Sequence, residues 1–288
     1  MGDSSIAFAV IGGSGLYTMP GLTDVVEQKI STPFGDPSDA VVIGTLRGAR
    51  VAFLPRHGRG HRLNPSEVPS RANIYALKSL GVQHIISVSA CGSLRQDMQP
   101  RDIVVPDQLF DHTKGRRPAS FFDTGIVGHV GVAQPFSASL SEALAQAVQE
   151  SGGNVHRGGT LITIEGPRFS TRAESIAYRA WGCDIIGMTA CPEAFLAREA
   201  EIDFAIMAHV TDYDVWHVSE AAVTVAMVIE RLNANLALAQ KVISALVPVI
   251  PHLPHECDGA MSSAVMTARD RITPEARERV NLLVGKYF

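Results

Sequence analysis

Residues 82–93, VQHIISVSACGS, place a short apolar run directly before a series of small residues. The run Val82–Val88 is rich in β-branched side chains and too short for a typical helix, so it predicts a buried strand. Six similar runs predict further strands. They are Ile6–Ile11, Val41–Leu46, Val51–Leu54, Leu161–Ile164, Asp184–Ile186 and Ile202–Val210.

Helical patterns separate these strands, which predicts an α/β fold. The predicted helices are Pro65–Leu80, Ser137–Glu150 and Thr171–Trp181, each ending near a glycine, a long helix from about Glu220 to Ala245, and a last one over Thr273–Lys286. Arg47–Ala49 joins two strand-like runs as a hairpin would, so the sheet is expected to be mixed. No linker or internal repeat interrupts the chain, so residues 1–288 are expected to form one domain, with a helical extension at about 255–288.

The composition excludes several classes of protein. Hydrophobic residues make up 46% and charged residues 19%, which argues against disorder and fibrous repeats. A formal net charge of −4 gives no broad basic surface for nucleic acid or an anionic membrane. No apolar run approaches the roughly 20 residues that span a bilayer, and Met1–Ser5 does not open a secretory signal, so a cytoplasmic location is expected. The four cysteines occur singly and are expected to stay reduced.

Two strand ends carry residues suited to an anion. The turn Gly12–Gly15 would let the backbone approach a ligand, with Ser14 offering a hydroxyl group. It fails as a dinucleotide fingerprint because Thr18 replaces the third glycine, and an ordinary turn would look the same. At another strand end, Arg56 and His57 supply charge that would complement a phosphate dianion, although a basic surface cluster is an equally good interpretation.

Two further segments could contact a sugar or a base. Ser89–Ser93 offers amides and hydroxyls, and its Cys91 has no neighbouring base that would make it a nucleophile. Phe169, within the turn-forming segment Glu165–Glu174, could face a planar ligand, but a core position is the commoner role for such a residue.

Two acids follow the last predicted strand. Asp212 and Asp214 lie in the segment Thr211–Trp216, among aromatic residues. Two carboxylates at this spacing could bind a metal ion, but no supporting set of histidine or acidic ligands accompanies them. No metal site is therefore predicted.

Six motifs follow one another in a specific order. They are IGGSGLY (11–17), PRHGRGH (55–61), SACGS (89–93), EGPRFSTRAES (165–175), GMTACPE (187–193) and TDYDVW (211–216). Together they resemble the 5'-methylthioadenosine phosphorylase family over roughly Ile6–Leu246. The resemblance implies the trimeric purine nucleoside phosphorylase fold, a distorted mixed sheet or barrel surrounded by helices.

The resemblance also implies site residues. The phosphate contacts would be Ser14, Arg56, His57, Ser89, Ala90 and Thr189. The nucleoside contacts would be Met188 beneath the ribose, Phe169 against the base, Asp212, Tyr213 and Asp214 around the purine, and His129 reaching the 5' region of a neighbouring subunit. Orthophosphate would be the co-substrate without a further cofactor, and the assembly would be a homotrimer or a dimer of trimers.

The implied reaction needs no nucleophilic side chain. Bound orthophosphate would attack C1' of a ribosyl group with oxocarbenium-like character, while cationic and amide donors hold it in place. Adenine leaves poorly as an anion, so Asp212 is the candidate acid that holds or relays a proton at N7.

Two alternatives remain open. A phosphorylase for inosine, guanosine or methylthioinosine would share the fold and phosphate site, but such relatives resemble a pattern with Glu in place of Ser170 and Asn in place of Asp212. Val225, Val228 and Ile229 share one helical face that would suit a methylthio group better than a 5'-hydroxyl, although core packing would give the same pattern. A non-catalytic nucleoside-binding protein with this fold is the second alternative.

Overall fold

Eleven strands form one mixed sheet in the computed structural model, which describes residues 5–217 and 224–288 without the side chains of Ser14, Met227 and Leu232. The strands are β1 (Ile6–Gly12), β2 (Leu22–Gln28), β3 (Val41–Leu46), β4 (Ala49–Pro55), β5 (His84–Ser93), β6 (Ile103–Val105), β7 (Gln108–His112), β8 (Val155–Arg157), β9 (Thr160–Ile164), β10 (Ile185–Gly187) and β11 (Asp203–Asp212). The helices of the described residues are α1 (Ser70–Ser79), α2 (Ala138–Glu150), α3 (Arg172–Ala180), α4 (Ala190–Glu199), α5 (Val225–Ala234), α6 (Leu236–Leu246) and α7 (Pro274–Val284). This arrangement confirms the α/β class and the mixed sheet.

Strand β5 is the branch point of the sheet. The main path runs β2-β3-β4-β1-β5-β10-β9-β7, and β11 lies on the other side of β5, followed by β6 and β8. Along one edge, β5 pairs with β1 in parallel up to Ser87 and with β10 in antiparallel from Gly92. Along its other edge it pairs in parallel with β11 over His84–Gly92. This change of partner distorts the sheet, as the family resemblance implied.

All seven predicted strands are present, with several bounds that differ from the prediction, and the differences in β5 and β11 affect the site. The predicted end of β5 at Val88 is wrong, because Ser89–Gly92 continue the ladder with β11. Strand β11 itself continues to Asp212 rather than ending at Val210. The hairpin between β3 and β4 is confirmed, with Arg47 and Gly48 both in the left-handed region (φ 49° and 86°). The sequence did not predict β2, β6, β7 or β8.

The helices agree with the sequence where their caps are clear. Ser137 accepts a hydrogen bond from the Leu140 amide at the start of α2, and Thr171 with Glu174 forms a capping box on α3. Helix α1 begins at Ser70 rather than Pro65. The residue before a proline is restricted to extended conformations, so Val68, which precedes Pro69, cannot continue a helix that starts at Pro65.

The long helix predicted from Glu220 to Ala245 is divided, and residues 220–223 lie outside the described chain. Helix α5 ends at Ala234 and α6 begins at Leu236. Between them Asn235 is buried, and its side-chain amide donates to Arg101 O. This tertiary contact accompanies the break. Helix α4 was not predicted.

Two apolar cores cover the two faces of the sheet. One contains residues of α1, α4 and α7, and the other contains residues of α2 and α6. All four cysteines are buried and free, as expected for reduced thiols. None of the helices in the described residues has the length and apolar content needed to cross a membrane.

The C-terminal segment is bound to the end of the sheet at which β11 begins, opposite the carboxyl ends of β1, β4, β5 and β11. The carboxylate of Asp203, at the start of β11, accepts hydrogen bonds from the amides of Glu256 and Cys257. Glu201 accepts from the amide of Met261 and from the hydroxyl of Tyr287. Residues after 255 are therefore bound to the sheet by buried carboxylates.

His209 is an unusual residue in the middle of β11. It is 1% exposed, and neither ring nitrogen has a hydrogen-bond partner within the described residues. Burial lowers its pKa to about 4, so the ring stays neutral. Buried polar atoms without partners cost roughly 1–3 kcal/mol.

We expect His209→Leu to raise the unfolding temperature, and to raise it more at pH 5 than at pH 8. The pKa of His209 is about 4 in the folded chain and 6.5 as a reference, so the unfolded chain gains a proton first as the pH falls. As the pH falls from 6.5 to about 4, the free energy of unfolding of the protein with His209 therefore decreases by up to about 3 kcal/mol. Thermal unfolding at both pH values measures the difference. The exposed His252→Leu serves as control, and an equal effect of His209→Leu at both pH values would contradict the prediction.

Candidate functional site

Four parallel strands, β4, β1, β5 and β11, end at one edge of the sheet. The residues at or just after the ends of β1, β4 and β11 are Gly13, Arg56 and Asp212, and Ser89 lies beside them in the last half of β5. The Arg56 amide donates to Gly12 O at 3.1 Å, which joins two of the ends directly. Ligands in open α/β sheets commonly bind outside the carboxyl ends of the strands. The structure therefore brings these predicted segments to one edge.

The change of partner along β5 opens a gap in this edge. Pairing with β1 ends at Ser87 and pairing with β10 begins at Gly92, so the residues between them lack a described strand partner on that side. Ser89 and Ala90 lie within the gap and are half-buried. Gly187 borders it, and a Cβ atom there would lie 3.8 Å from Ala90 O. Backbone groups of β5 are thus accessible to a ligand.

Arg56 is buried, and most of its donors are used within the protein. Nε and Nη2 donate to the Glu193 carboxylate at 2.6 and 3.1 Å. Nη2 also donates to Ser87 Oγ at 2.6 Å, and Nη1 donates to Val88 O at 3.0 Å. The sequence suggested that Arg56 supplies positive charge to a phosphate dianion. The structure instead has a buried ion pair in which Glu193 balances the charge.

His57 is a neutral donor and acceptor rather than a cation. Burial and the Arg56 charge lower its pKa to about 4. Its Nδ1 lies 2.9 Å from Leu63 O, which requires the proton on Nδ1 and leaves Nε2 as an acceptor. The sequence-based expectation that His57 adds positive charge for a dianion is therefore wrong for the unliganded protein.

Met188 and Thr189 lie at the start of α4, across the gap from β5. Thr189 is the N-cap residue of α4, and its hydroxyl makes no capping hydrogen bond. Both side chains are half-buried. Gly166 lies against the thioether, since a Cβ atom there would be 2.7 Å from Met188 Sδ. The structure thus places the predicted ribose and phosphate residues next to each other.

The two acids occupy the end of β11 and are both buried. Asp212 Oδ2 accepts from Thr211 Oγ1 at 2.6 Å, and Oδ1 accepts from the Asp214 amide at 2.8 Å. A Cβ atom on Gly92 would lie 2.9 Å from Asp212 Oδ1, so this glycine admits the carboxylate. Burial is the main influence on both acids, and it raises the pKa of each.

Ser170 and Ser175 lie close to Asp214. Their hydroxyls act against the rise in the pKa of Asp214. Neither hydroxyl, nor Asp214 Oδ2, makes a regular hydrogen bond within the described residues. This group combines donors and acceptors that a purine edge could satisfy.

The aromatic residues differ in their surroundings. Phe169 is half-buried in a loop held by the salt bridge between Arg168 and Glu174 at 2.6 Å. Tyr213 is buried, stacks on His217 with ring centres 4.7 Å apart, and donates its hydroxyl to Gln96 O. Tyr213 therefore packs against neighbouring residues between Asp212 and Asp214, and its contact with a substrate stays a prediction.

The predicted 5' residues lie on α5. Val225 and Ile229 are 63% and 53% exposed, and Val228 is half-buried. Arg231, on the same helix, donates to Thr211 O at the end of β11. This contact holds an exposed apolar helix face beside the acids.

His129 is separate from the other site residues. It is exposed, and its amide donates to Ala264 O at 2.8 Å. No contact within the described residues joins its side chain to the strand ends. A role within its own subunit is thus not supported by the geometry.

The sequence did not single out Glu193, Ser87 or Arg117. Glu193 closes the motif GMTACPE, but nothing in the motif shows that it pairs with Arg56. Arg117 is buried between the loops that carry Met188 and Phe169, and its five donors are all used there. In the sequence, the one feature that could have drawn attention to Arg117 is that it follows another arginine, Arg116.

Comparison with known proteins gives close relatives. A model of the phosphorylase superfamily matches residues 7–248. The S-methyl-5'-thioadenosine phosphorylase of Chloroflexus aurantiacus is 54% identical over 285 residues, covering 99% of both chains. The protein of the same name from Gloeobacter violaceus is 51% identical over 284 residues, covering 96% of this chain and 95% of the relative.

Solved structures give the same result. A methylthioadenosine phosphorylase sourced from an antarctic soil metagenomic library has a TM-score of 0.93 at 47% identity, covering 98% of this chain and 99% of the other. The methylthioadenosine phosphorylase from Schistosoma mansoni, solved in complex with adenine, has a TM-score of 0.85 at 36% identity, covering 91% and 99%. The resemblance carried by the six motifs is confirmed, and the chain belongs to the phosphorylase superfamily, in the family of S-methyl-5'-thioadenosine phosphorylases.

Proposed function

We propose that the protein catalyses the phosphorolysis of 5'-methylthioadenosine to adenine and 5-methylthioribose 1-phosphate, as the names of its relatives indicate. The observation that carries this proposal is a single sheet edge with two kinds of chemistry. A gap with anion-binding donors lies on one side, and buried acids suited to a purine lie on the other. This activity belongs to purine and methionine salvage.

The gap in β5 is the proposed phosphate site. Its contacts are Ser14, Arg56, His57, Ser89, Ala90 and Thr189, of which the Ser14 side chain lies outside the described residues. Arg56 retains one Nη1 hydrogen, and His57 Nε2 can accept from a protonated phosphate oxygen. Orientation of donors, more than net charge, holds the nucleophile. Orthophosphate is the co-substrate, and no other cofactor is proposed.

The reaction forms one bond and breaks one bond at C1'. A phosphate oxygen attacks C1', and the electron pair of the C1'–N9 bond passes to adenine, which takes a proton at N7. Asp212 donates that proton and becomes a carboxylate, and it regains a proton from the one that the phosphate releases as its ester forms. Burial raises the pKa of Asp212, which favours the protonated form that this step needs. Cys91 takes no part as a nucleophile, because burial raises the pKa of its thiol well above the usual value.

The methylthio group is proposed to lie against Val225, Val228 and Ile229, whose apolar surface is exposed in a single subunit. His129 of a neighbouring subunit would complete this end, since its side chain is exposed and has no contact with the strand ends among the described residues of its own subunit. This arrangement requires an oligomer, and we propose a homotrimer or a dimer of trimers acting in the cytoplasm. Four buried, free cysteines are consistent with a reducing compartment.

Adenine release from 5'-methylthioadenosine, measured with and without orthophosphate, tests the function. We expect release only with phosphate, together with equal amounts of phosphate consumed. Equal rates in both buffers would indicate a hydrolase, because hydrolysis does not need phosphate. Binding without adenine release in either buffer would favour a nucleoside-binding protein.

Asp212→Asn should lower kcat/KM for methylthioadenosine by about ten- to a hundredfold, and should shift preference toward methylthioinosine. An amide cannot hold the proton for N7, and a lost hydrogen bond to a buried group costs roughly 1–3 kcal/mol. Ser170→Glu should add to the shift. Both substrates are assayed with the wild type and each variant, with exposed Asp97→Asn as control. A wild type that prefers methylthioinosine, or an unchanged ratio in Asp212→Asn, would show that the adenine assignment is wrong.

Combining two impaired variants in one assembly tests the shared site. Asp212→Asn and His129→Ala each damage every site of their own homotrimer. In a mixed trimer, an intact Asp212 can face an intact His129 from the next subunit. We expect co-expressed variants to exceed the activity of either parent. Activity no greater than the parents, or a fully active monomer in sedimentation, would refute the neighbour contact.

A further inference from the structure

Arg117 lies in the irregular segment between β7 and α2, and only 8% of it is exposed. Its guanidinium group has five N–H donors, and each has an acceptor in the protein. Nη1 donates to Met188 O at 2.7 Å and to Cys191 O at 2.8 Å. Nη2 donates to Glu165 O at 2.6 Å and to Ile164 O at 3.5 Å. Nε donates to Glu165 Oε1 at 3.3 Å.

These five hydrogen bonds leave Arg117 no donor for a substrate. An arginine this close to a phosphate site would ordinarily be assigned to the anion. Here its donors are directed at backbone carbonyls, so its effect on a ligand must pass through the residues it holds.

The carbonyls belong to two loops that carry proposed substrate contacts. Met188 and Cys191 bracket Thr189, and Cys191 is non-helical (φ −97°, ψ 132°) within the first turn of α4. Met188 precedes the N-cap residue Thr189, so Arg117 donates to one carbonyl just before α4 and to one within its irregular first turn. Ile164 and Glu165 directly precede the turn that leads to Phe169.

A third loop joins through Glu165. The Ser66 hydroxyl donates to Glu165 Oε1, and Ser66 follows the loop in which Leu63 O holds His57. At Gly166 the three loops are in close contact, because a Cβ atom there would lie 2.7 Å from Met188 Sδ and 3.4 Å from Pro65 Cγ. Arg117 and Glu165 therefore connect the loops of the phosphate, ribose and base contacts.

We propose that Arg117 is a positioning residue that fixes the Met188–Thr189 segment relative to the Phe169 loop, and so sets the distance between bound phosphate and nucleoside. The inference rests on the proposed phosphorolysis. Small errors in the relative placement of two reactants lower the rate steeply, on the order of a hundredfold for a displacement of about 1 Å.

The test compares Arg117→Met and Arg117→Lys with the wild type in steady-state kinetics for both substrates. We expect Arg117→Met to raise KM for phosphate and for methylthioadenosine together, and to lower kcat/KM on the order of a hundredfold. Arg117→Lys should restore only part of this loss, because an ammonium group cannot bind four carbonyls and a carboxylate in a planar fork. Glu165→Gln, which keeps an oxygen acceptor, should be milder than Arg117→Met.

Arg269→Met is the control, because Arg269 also donates to a backbone carbonyl, Tyr287 O, but in the C-terminal segment on the opposite side of the sheet from the strand ends. It should lower the unfolding temperature without changing either KM. Activity is normalised to the folded fraction measured by thermal unfolding. A lower kcat with both KM values unchanged in Arg117→Met would show a merely structural role and overturn the proposal. If Arg117→Met does not fold, Arg117→Lys provides the test. Unchanged KM values for both substrates in Arg117→Lys would then overturn the proposal. A wild type that releases adenine without phosphate would instead refute the proposed function.

Discussion

The change of strand partner along β5 is the constraint on which the site depends. A strand has two edges, and β11 occupies one of them along nearly the whole of β5. On the other edge a parallel partner and an antiparallel partner cannot merge, so each must end before the other begins. The residues between them lack a strand partner on this side, and one of their carbonyl groups, Val88 O, accepts a hydrogen bond from Arg56 Nη1 instead. Buried backbone groups are costly when they have no partner, so the interruption of the sheet favours side chains that supply one. The proposed phosphate site lies at this interruption.

The charged groups around this gap are largely balanced, so the proposed anion site has oriented hydrogen-bond donors without a strong positive charge. Arg56 would be costly to bury alone, and Glu193 offsets that cost through two charge-assisted hydrogen bonds. The same pair fixes the guanidinium plane against β5. With His57 neutral, little net positive charge remains at the gap, so the proposed binding of phosphate there depends on the orientation of hydrogen-bond donors more than on charge.

The sequence predicted most of the buried strands, and the strands that it missed are exposed or only three to five residues long. Strands such as β4 and β11 form long apolar runs because both faces are covered. Strand β2 is exposed along most of its length and carries charged residues, while β6 and β8 have three residues each, which is too short for a periodic signal. The end of β5 was missed because small residues such as Ser89 and Ala90 carry little strand preference, and here the ladder with β11 determines their conformation.

The motifs in the sequence predicted individual site residues. They did not predict which of these residues contact one another. Arg56 and Glu193 are 137 positions apart, and a single sequence gives no sign that they meet. Arg116 is exposed and Arg117 is buried, although nothing in their local sequence distinguishes them. A basic residue is usually placed at the surface unless partners are known, and four of the five acceptors of Arg117 are backbone carbonyls, which every residue has. Contacts of a side chain with backbone therefore leave no compositional trace, and residues that organise a site in this way emerge only from its geometry.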